Sequence, residues 1–135
     1  MIVAVDSSVL FDIVKGAPGA KAAQSALENV LAQGSLCACE VVLAELGRYF
    51  ARASDVAGFL ADCHIDYAAM TQEAALKAAA IMRQYSSNKG PRLRVTADFL
   101  IGAHARSQCD GLLTADAGFY RDYFKGLKVI EPRRR

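Results

Sequence analysis

The chain has no tryptophan, only three prolines and only two histidines in 135 residues. His64 and His104 stand far apart, so they offer no paired metal-ligand spacing. No Gly-x-Ser-x-Gly elbow and no Walker phosphate loop occurs, which removes the serine-hydrolase and P-loop readings. No apolar run approaches the ~20 residues that a bilayer-spanning helix needs. The N-terminus, Met1-Ile2-Val3-Ala4-Val5-Asp6, carries no basic segment and no cleavage signature. It reads as a first strand, and a cytoplasmic protein with no membrane association is expected. Cysteine is sparse: Cys37, Cys39, Cys63 and Cys109. One residue separates Cys37 from Cys39, short of the gap of a zinc knuckle. Reduced, mostly buried thiols are therefore expected.

What remains is a chain of single-domain length with 53% hydrophobic and 22% charged residues. That composition builds a sizeable core and excludes general disorder. Within it, four carboxylates sit beside core-forming residues. Asp6 follows Ile2-Val3-Ala4-Val5. Glu45 interrupts Val41-Val42-Leu43-Ala44-Glu45-Leu46. Asp98 opens Phe99-Leu100-Ile101, and Asp116 follows Gly111-Leu112-Leu113-Thr114. A lone buried carboxylate is costly and either neutralises or finds a partner. Four of them point to one shared hard cation.

The net charge is only +2. Setting those four acids apart leaves +6 on the rest of the chain, much of it in Lys89, Arg92, Arg94 and the terminal Arg133-Arg134-Arg135. A basic surround with an acidic centre suits a polyanion drawn to a metal site. Solvated surface charge and a basic tail over residues 132–135 are the plainer reading, with the folded domain over residues 1–131.

Strand-like runs alternate with helical patterns. Strands are expected at Met1–Val5, Leu36–Cys39, Ile65–Met70, Leu112–Thr114 and Leu127–Ile130. A turn or helix start follows Asp6, where Asp and Ser satisfy free backbone N–H groups. Helices are expected over Ala20–Gln33 with Gly34 closing it, Glu40–Ala53, Ser54 to about Cys63, and Thr71 as N-cap to about Tyr85. Two more span Ala97–Ser107, with Thr96 as cap, and Gly118–Phe124. Ser86–Leu93 reads as a loop. This alternation implies a single three-layer α/β/α domain with a mainly parallel sheet of four to five strands.

Sites in such sheets form beyond the carboxyl ends of the strands. Asp6 and Asp116 fall there by position, while Glu45 and Asp98 sit on helices. Mg²⁺ takes near-octahedral oxygen ligands, keeps several waters and needs one or two direct carboxylates. Each acid also has a plainer role. Asp6 and Asp116 suit caps, Asp98 suits a first helical turn, and Glu45 suits a surface pair with Arg48 or Arg52. Their order and context give them weight together.

Four segments carry a family resemblance: Asp6-Ser7-Ser8-Val9-Leu10; Ala44-Glu45-Leu46; Ala97-Asp98-Phe99-Leu100-Ile101-Gly102-Ala103-His104-Ala105; and Leu113-Thr114-Ala115-Asp116-Ala117-Gly118-Phe119-Tyr120. Together they resemble the motifs of PIN-domain nucleases and, more closely, of VapC-type toxins of prokaryotic toxin–antitoxin pairs. The resemblance spans essentially the full chain and implies a compact α/β/α fold that cleaves RNA with Mg²⁺ or Mn²⁺. It implies Asp6, Glu45, Asp98 and Asp116 as the catalytic quartet. Asp6 and Asp98 would be metal ligands, Asp116 direct or through water, and Glu45 would orient metal-bound water. Ser8 and Thr114 would support them, or serve only in caps and turns. Lys89, Arg92 and Arg94 would meet RNA phosphates. The implied partners are a small antitoxin and a second copy of the chain, with the apolar helices between Glu40 and Cys63 as a surface for either. Phe119, Tyr120 and Tyr123 suit base stacking, but more naturally the core.

Other functions fit less well. A phosphotransferase with Asp6 as nucleophile would carry Asp-x-Asp, and Ser8 stands in the second place. A non-catalytic RNA-binding scaffold would not need four core-edge carboxylates. A PIN nuclease outside any toxin pair remains the nearest alternative.

Overall fold

A computed structural model of the chain describes residues 1–87 and 94–133. Five strands form one sheet: β1 (Ile2–Val5), β2 (Ser35–Ala38), β3 (Ile65–Tyr67), β4 (Gly111–Leu113) and β5 (Val129–Ile130). Their order is β3-β2-β1-β4-β5, and every pairing is parallel. Seven described helices connect them: α1 (Ser7–Lys15), α2 (Ala20–Leu31), α3 (Glu40–Gly47), α4 (Ala53–Asp62), α5 (Gln72–Ser87), α6 (Thr96–Gln108) and α7 (Ala117–Tyr123). Parallel crossovers are right-handed. That rule puts α1–α4 on one face and α5–α7 on the other, giving the expected three layers.

The central strands read as unbroken apolar runs because both faces are covered. Val3, Ala4 and Val5 of β1, Leu36 and Cys37 of β2, and Leu112 and Leu113 of β4 are all buried. Tyr85, Phe99, Phe119, Tyr123 and Phe124 pack as an aromatic cluster from α5, α6 and the α7 region. Phe119 and Tyr120 are core residues, as their plainer reading held.

Several boundaries differ from the sequence reading. The segment after Asp6, read as a turn or a helix start, is a full helix, in which Val9 and Leu10 are buried. The helix expected over Glu40–Ala53 stops at Gly47. Tyr49 and Phe50 then donate to the carbonyls of Leu46 and Gly47, three residues back, which tightens and ends the helix. Phe50 turns to meet Phe59 of α4 at 5.7 Å between ring centroids. The third strand ends at Tyr67, not Met70, and the fifth begins at Val129. Thr71 does cap α5: its hydroxyl accepts the Ala74 N–H at 3.1 Å. Thr96 does not cap α6, whose N-cap is Val95. Gly34 is required by close approach, since a Cβ there would lie 2.1 Å from the Met1 carbonyl oxygen.

Candidate acidic site

The order in which strands are added switches sides at β1. From β1 the next strand in sequence lies on one side, and β4 lies on the other. Ligand sites in open parallel sheets form at such a switch point, beyond the strand ends. Asp6 directly follows β1, and its backbone N–H donates to the Leu113 carbonyl at 2.9 Å, which extends the ladder to the edge of the site. Thr114 follows β4 there.

Asp6 sits at the N-cap position of α1 yet makes no side-chain cap bond. Its carboxylate turns instead into the site and is 4% exposed. Oδ2 accepts hydrogen bonds from the Thr114 hydroxyl at 2.7 Å and the Ser8 hydroxyl at 2.9 Å. Each hydroxyl spends its hydrogen on Asp6 and accepts a backbone N–H in return. Thr114 receives Asp116 at 2.9 Å, and Ser8 receives Ala115 at 3.1 Å. The two hydroxyls thus tie Asp6 to the start of the Asp116 loop.

Glu45 lies on α3 and accepts the Ser7 hydroxyl at 2.8 Å, and the same hydroxyl is 3.5 Å from Asp6 Oδ1. Among the described residues, no ion pair joins Glu45 to Arg48 or Arg52. Asp98 occupies the first turn of α6, where the helix dipole favours an anion. Asp116 stands at the N-cap position of α7 and likewise makes no side-chain cap bond. Arg94 joins these last two. Its Nη1 pairs with Asp116 Oδ2 and lies 3.6 Å from Asp98 Oδ2, and its Nη2 donates to Asp116 Oδ1 at 3.4 Å. The guanidinium stacks on Phe119, 4.3 Å from the ring centroid.

All four acids therefore belong to one chain of contacts: Glu45, Ser7, Asp6, Thr114, Asp116, Arg94, Asp98. Among the described residues, however, no three of these acids bring oxygens within 4.8 Å of one another. Lys89 and Arg92 of the basic loop, and Arg134 and Arg135 of the tail, lie outside the described residues. Arg94 is only 24% exposed and faces the acids. Glu40 is no part of this network: its carboxylate accepts the Met70 N–H at 2.9 Å.

The site strains against its own charge. Burial raises the Asp98 carboxyl to about 6; the Asp6 charge adds to this, Arg94 opposes it, and Glu45 and Asp116 raise it further. Burial also raises Asp6, against the Thr114 and Ser8 hydrogen bonds, while the Glu45 charge pushes it further up. The Arg94 guanidinium is held more firmly protonated by its bond to Asp116. Sequence reading missed one neighbour. Ser7 looked like helix-start chemistry. Tyr120 is a buried core residue whose hydroxyl has no hydrogen-bond partner, and whose ionisation is suppressed by burial and then by Asp6, Asp98 and Asp116.

These donors fit a hard divalent cation. They are all oxygens, they crowd negative charge until carboxyls resist ionising, and one or two direct carboxylates suffice for Mg²⁺.

The sequence of residues 3–125 matches the model of the PIN domain. The chain belongs to the PIN domain family. No curated protein sequence matches it. Solved PIN relatives share its fold at low identity. A chain of VapBC2 from Rickettsia felis, solved bound to a DNA fragment from its promoter, superposes with a TM-score of 0.76 at 16% identity, covering 97% of this chain and 98% of that one. A chain of VapBC-1 from nontypeable Haemophilus influenzae gives 0.73 at 16% identity, with the same coverage. VapC20 of Mycobacterium tuberculosis, a toxin that cleaves the sarcin–ricin loop, gives 0.61 at 16% identity over 93% of this chain and 98% of that one. The PIN fold thus runs through nearly the whole chain.

Proposed function

We propose that the chain is a Mg²⁺- or Mn²⁺-dependent endoribonuclease and acts as the VapC-type toxin of a toxin–antitoxin pair in the cytoplasm. The observation that carries this reading is the linkage of Asp6, Glu45, Asp98 and Asp116 into one network at the switch point of the sheet. Membership in a nuclease family and the fold shared with VapC chains support it.

When bound, the divalent ion supplies a water of lowered pKa and positive charge beside the phosphate oxygens. Asp6, Asp98 and Asp116 would hold the ion. Glu45 reaches the same network from α3 and would orient the attacking water, as a general base held by the Ser7 hydroxyl. Ser8 and Thr114 fix the Asp6 carboxylate by donating to it, so the ligand is pre-set rather than recruited. Arg94 would move from neutralising Asp98 and Asp116 to meeting an RNA phosphate, a geometry that suits guanidinium. Lys89 and Arg92 would extend that basic approach.

The antitoxin and a second copy of the chain would dock on α3 and α4. Val41, Leu43, Val56 and Phe59 are only partly covered there, and Tyr49 is exposed. An aspartyl-phosphate at Asp6 is the weaker reading, because a buried carboxylate engaged by two hydroxyls is poorly placed to attack a phosphoryl group.

The deciding experiment incubates the purified chain with a mixed RNA pool in Mg²⁺, Mn²⁺ or EDTA, beside Asp6→Asn and Asp98→Asn. Metal-dependent cleavage is expected in the wild type alone. Cleavage that survives EDTA and both substitutions would reject the assignment. Growth arrest on expression, relieved by a co-expressed small neighbouring protein, separates a toxin from a housekeeping nuclease.

A further inference from the structure

Towards the far end of α6, the helix that carries Asp98 in its first turn, a second cluster of donors has different chemistry. Cys37 lies on β2, flanked in the sheet by Ala4 and Asp66. His104 lies on α6, and Cys109 follows its last turn. The Cys37 and Cys109 sulfurs are 3.5 Å apart across 72 residues of chain. One imidazole nitrogen and both sulfurs fall within 4.8 Å of one another. Among the described residues, this is the one triple of His, Cys, Asp or Glu donors so gathered.

A separate observation concerns the imidazole. His104 is 1% exposed, and its Nε2 is buried with no hydrogen-bond partner. Buried polar atoms nearly always have one. An imidazole with an unpaired ring nitrogen, gathered with two thiols, is the donor set of a soft or borderline cation. The sulfur separation agrees with this, since two thiolates at 2.3 Å from a tetrahedral zinc ion stand about 3.8 Å apart. A disulfide would need them at ~2.05 Å.

We propose that Cys37, His104 and Cys109 form a binding site for a soft d¹⁰ metal ion, Zn²⁺ with a water as fourth ligand or Cu⁺ with the three side chains alone. The ion joins β2 to the end of α6 and enters past the half-buried Cys109. The site is distinct from the acidic one. His104 lies six residues beyond Asp98, about 9 Å along the helix axis at 1.5 Å per residue. Its ligands are sulfur and nitrogen, where the acidic site offers only oxygen. Because α6 carries both sites, the ion would brace the helix that positions Asp98 without taking part in phosphodiester chemistry.

The test uses the full chain, purified under reducing conditions and stripped of metal. Zn²⁺ uptake is read by competition with a chromophoric chelator, Cu⁺ uptake by a copper(I) chelator, and Co²⁺ replaces Zn²⁺ to report thiolate ligation by near-ultraviolet charge-transfer absorption. The expected result is roughly one ion per chain, a rise in melting temperature on binding, and loss of both in Cys37→Ser and Cys109→Ser. Cys63→Ser and Asp98→Asn should keep both. Far-ultraviolet circular dichroism checks that each variant folds, and His104→Gln gives a third ligand deletion should one serine variant fail. The proposal is overturned by absence of stoichiometric uptake of either ion, by uptake that persists in folded ligand variants, or by a Cys37–Cys109 disulfide as the cluster's only chemistry, seen as a mass lower by two hydrogens. None of these readouts involves RNA cleavage, so they stand apart from the test of the acidic site.

Discussion

Arg94 is bound through both guanidinium Nη nitrogens to the two carboxylate oxygens of Asp116, and it also reaches Asp98 at 3.6 Å. A side chain from the end of the basic loop thus sits where a cation is most wanted. Its charge competes with a divalent ion for the same carboxylates. Arg94→Gln is therefore expected to tighten Mn²⁺ binding, roughly tenfold for ~1.4 kcal/mol of relieved repulsion. RNA cleavage at saturating metal should fall, because the phosphate loses its guanidinium. Calorimetric titration with Mn²⁺ reads the first effect and single-turnover cleavage the second. Weaker Mn²⁺ binding in the variant would show that Arg94 organises the ligands rather than competes for them.

Asp98 gives the site a pH signature. Its folded carboxyl is raised to about 6 from an ordinary 3.8, first by burial and then by the Asp6 charge. A raised carboxyl favours the fold when protonated. That contribution is complete below 3.8 and is lost as pH rises through about 6. In EDTA at pH 7.5, Asp98→Asn should therefore melt higher than the wild type, and the gap should close as pH falls towards 4. In saturating Mg²⁺ at pH 7.5 the order should reverse, since the ion stabilises the ionised carboxylate. Thermal melts of both proteins across pH, with and without metal, check this. A gap that stays constant with pH would mean that Asp98 is not held in protonation strain.

The sequence made some of these relationships readable and hid others. Asp6 was visible because it directly follows an apolar strand, at the strand end where sites form, although a cap was its plainer local role. Asp98 was visible as an acid at the start of an apolar helix. The sheet was readable because strand-like runs and helical patterns alternate without a break. Ser7 was hidden, since a serine at a helix start has an ordinary local role, and only the approach of α3 gives it Glu45. The pairing of Arg94 with Asp116 depends on where α7 begins relative to α6, which no local pattern encodes. Cys37, His104 and Cys109 were hidden for the same reason. Their meeting depends on sheet order and on the path of α6, while the visible spacing between Cys37 and Cys39 pointed away from a metal.

The Thr114 hydroxyl donates to Asp6 at 2.7 Å, inside a buried site. Thr114→Val keeps the shape and removes the donor. Unfolding in urea should show a loss of about 1–3 kcal/mol, the cost of leaving a buried acceptor short of a partner. With Asp6→Asn in the background the same substitution should cost less, because the acceptor is no longer charged. A double-mutant cycle measures the difference as a coupling energy. A coupling near zero would mean that the hydroxyl serves the backbone N–H of Asp116 alone.

Gly102 tests how the aromatic cluster supports the site. It faces the Phe124 ring from α6, and a Cβ there would lie 2.5 to 2.7 Å from ring carbons of a phenylalanine that is itself fully buried. The ring has no free space to swing into, since Phe119 and Tyr120 pack against it at 6.0 and 5.7 Å between centroids. Gly102→Ala should raise intrinsic helix propensity and still destabilise the protein, because overpacking costs typically ~1–3 kcal/mol. Shortening the ring by Phe124→Leu should recover part of the loss in the double variant, although it is destabilising alone. That sign reversal distinguishes a steric clash from a backbone effect, and equilibrium unfolding of the four proteins reads it directly. Strictly additive losses would place the fault elsewhere in α6. In the clash case α6 shifts at its middle and carries Asp98 with it, so metal affinity at the acidic site should fall in Gly102→Ala and return in the double variant.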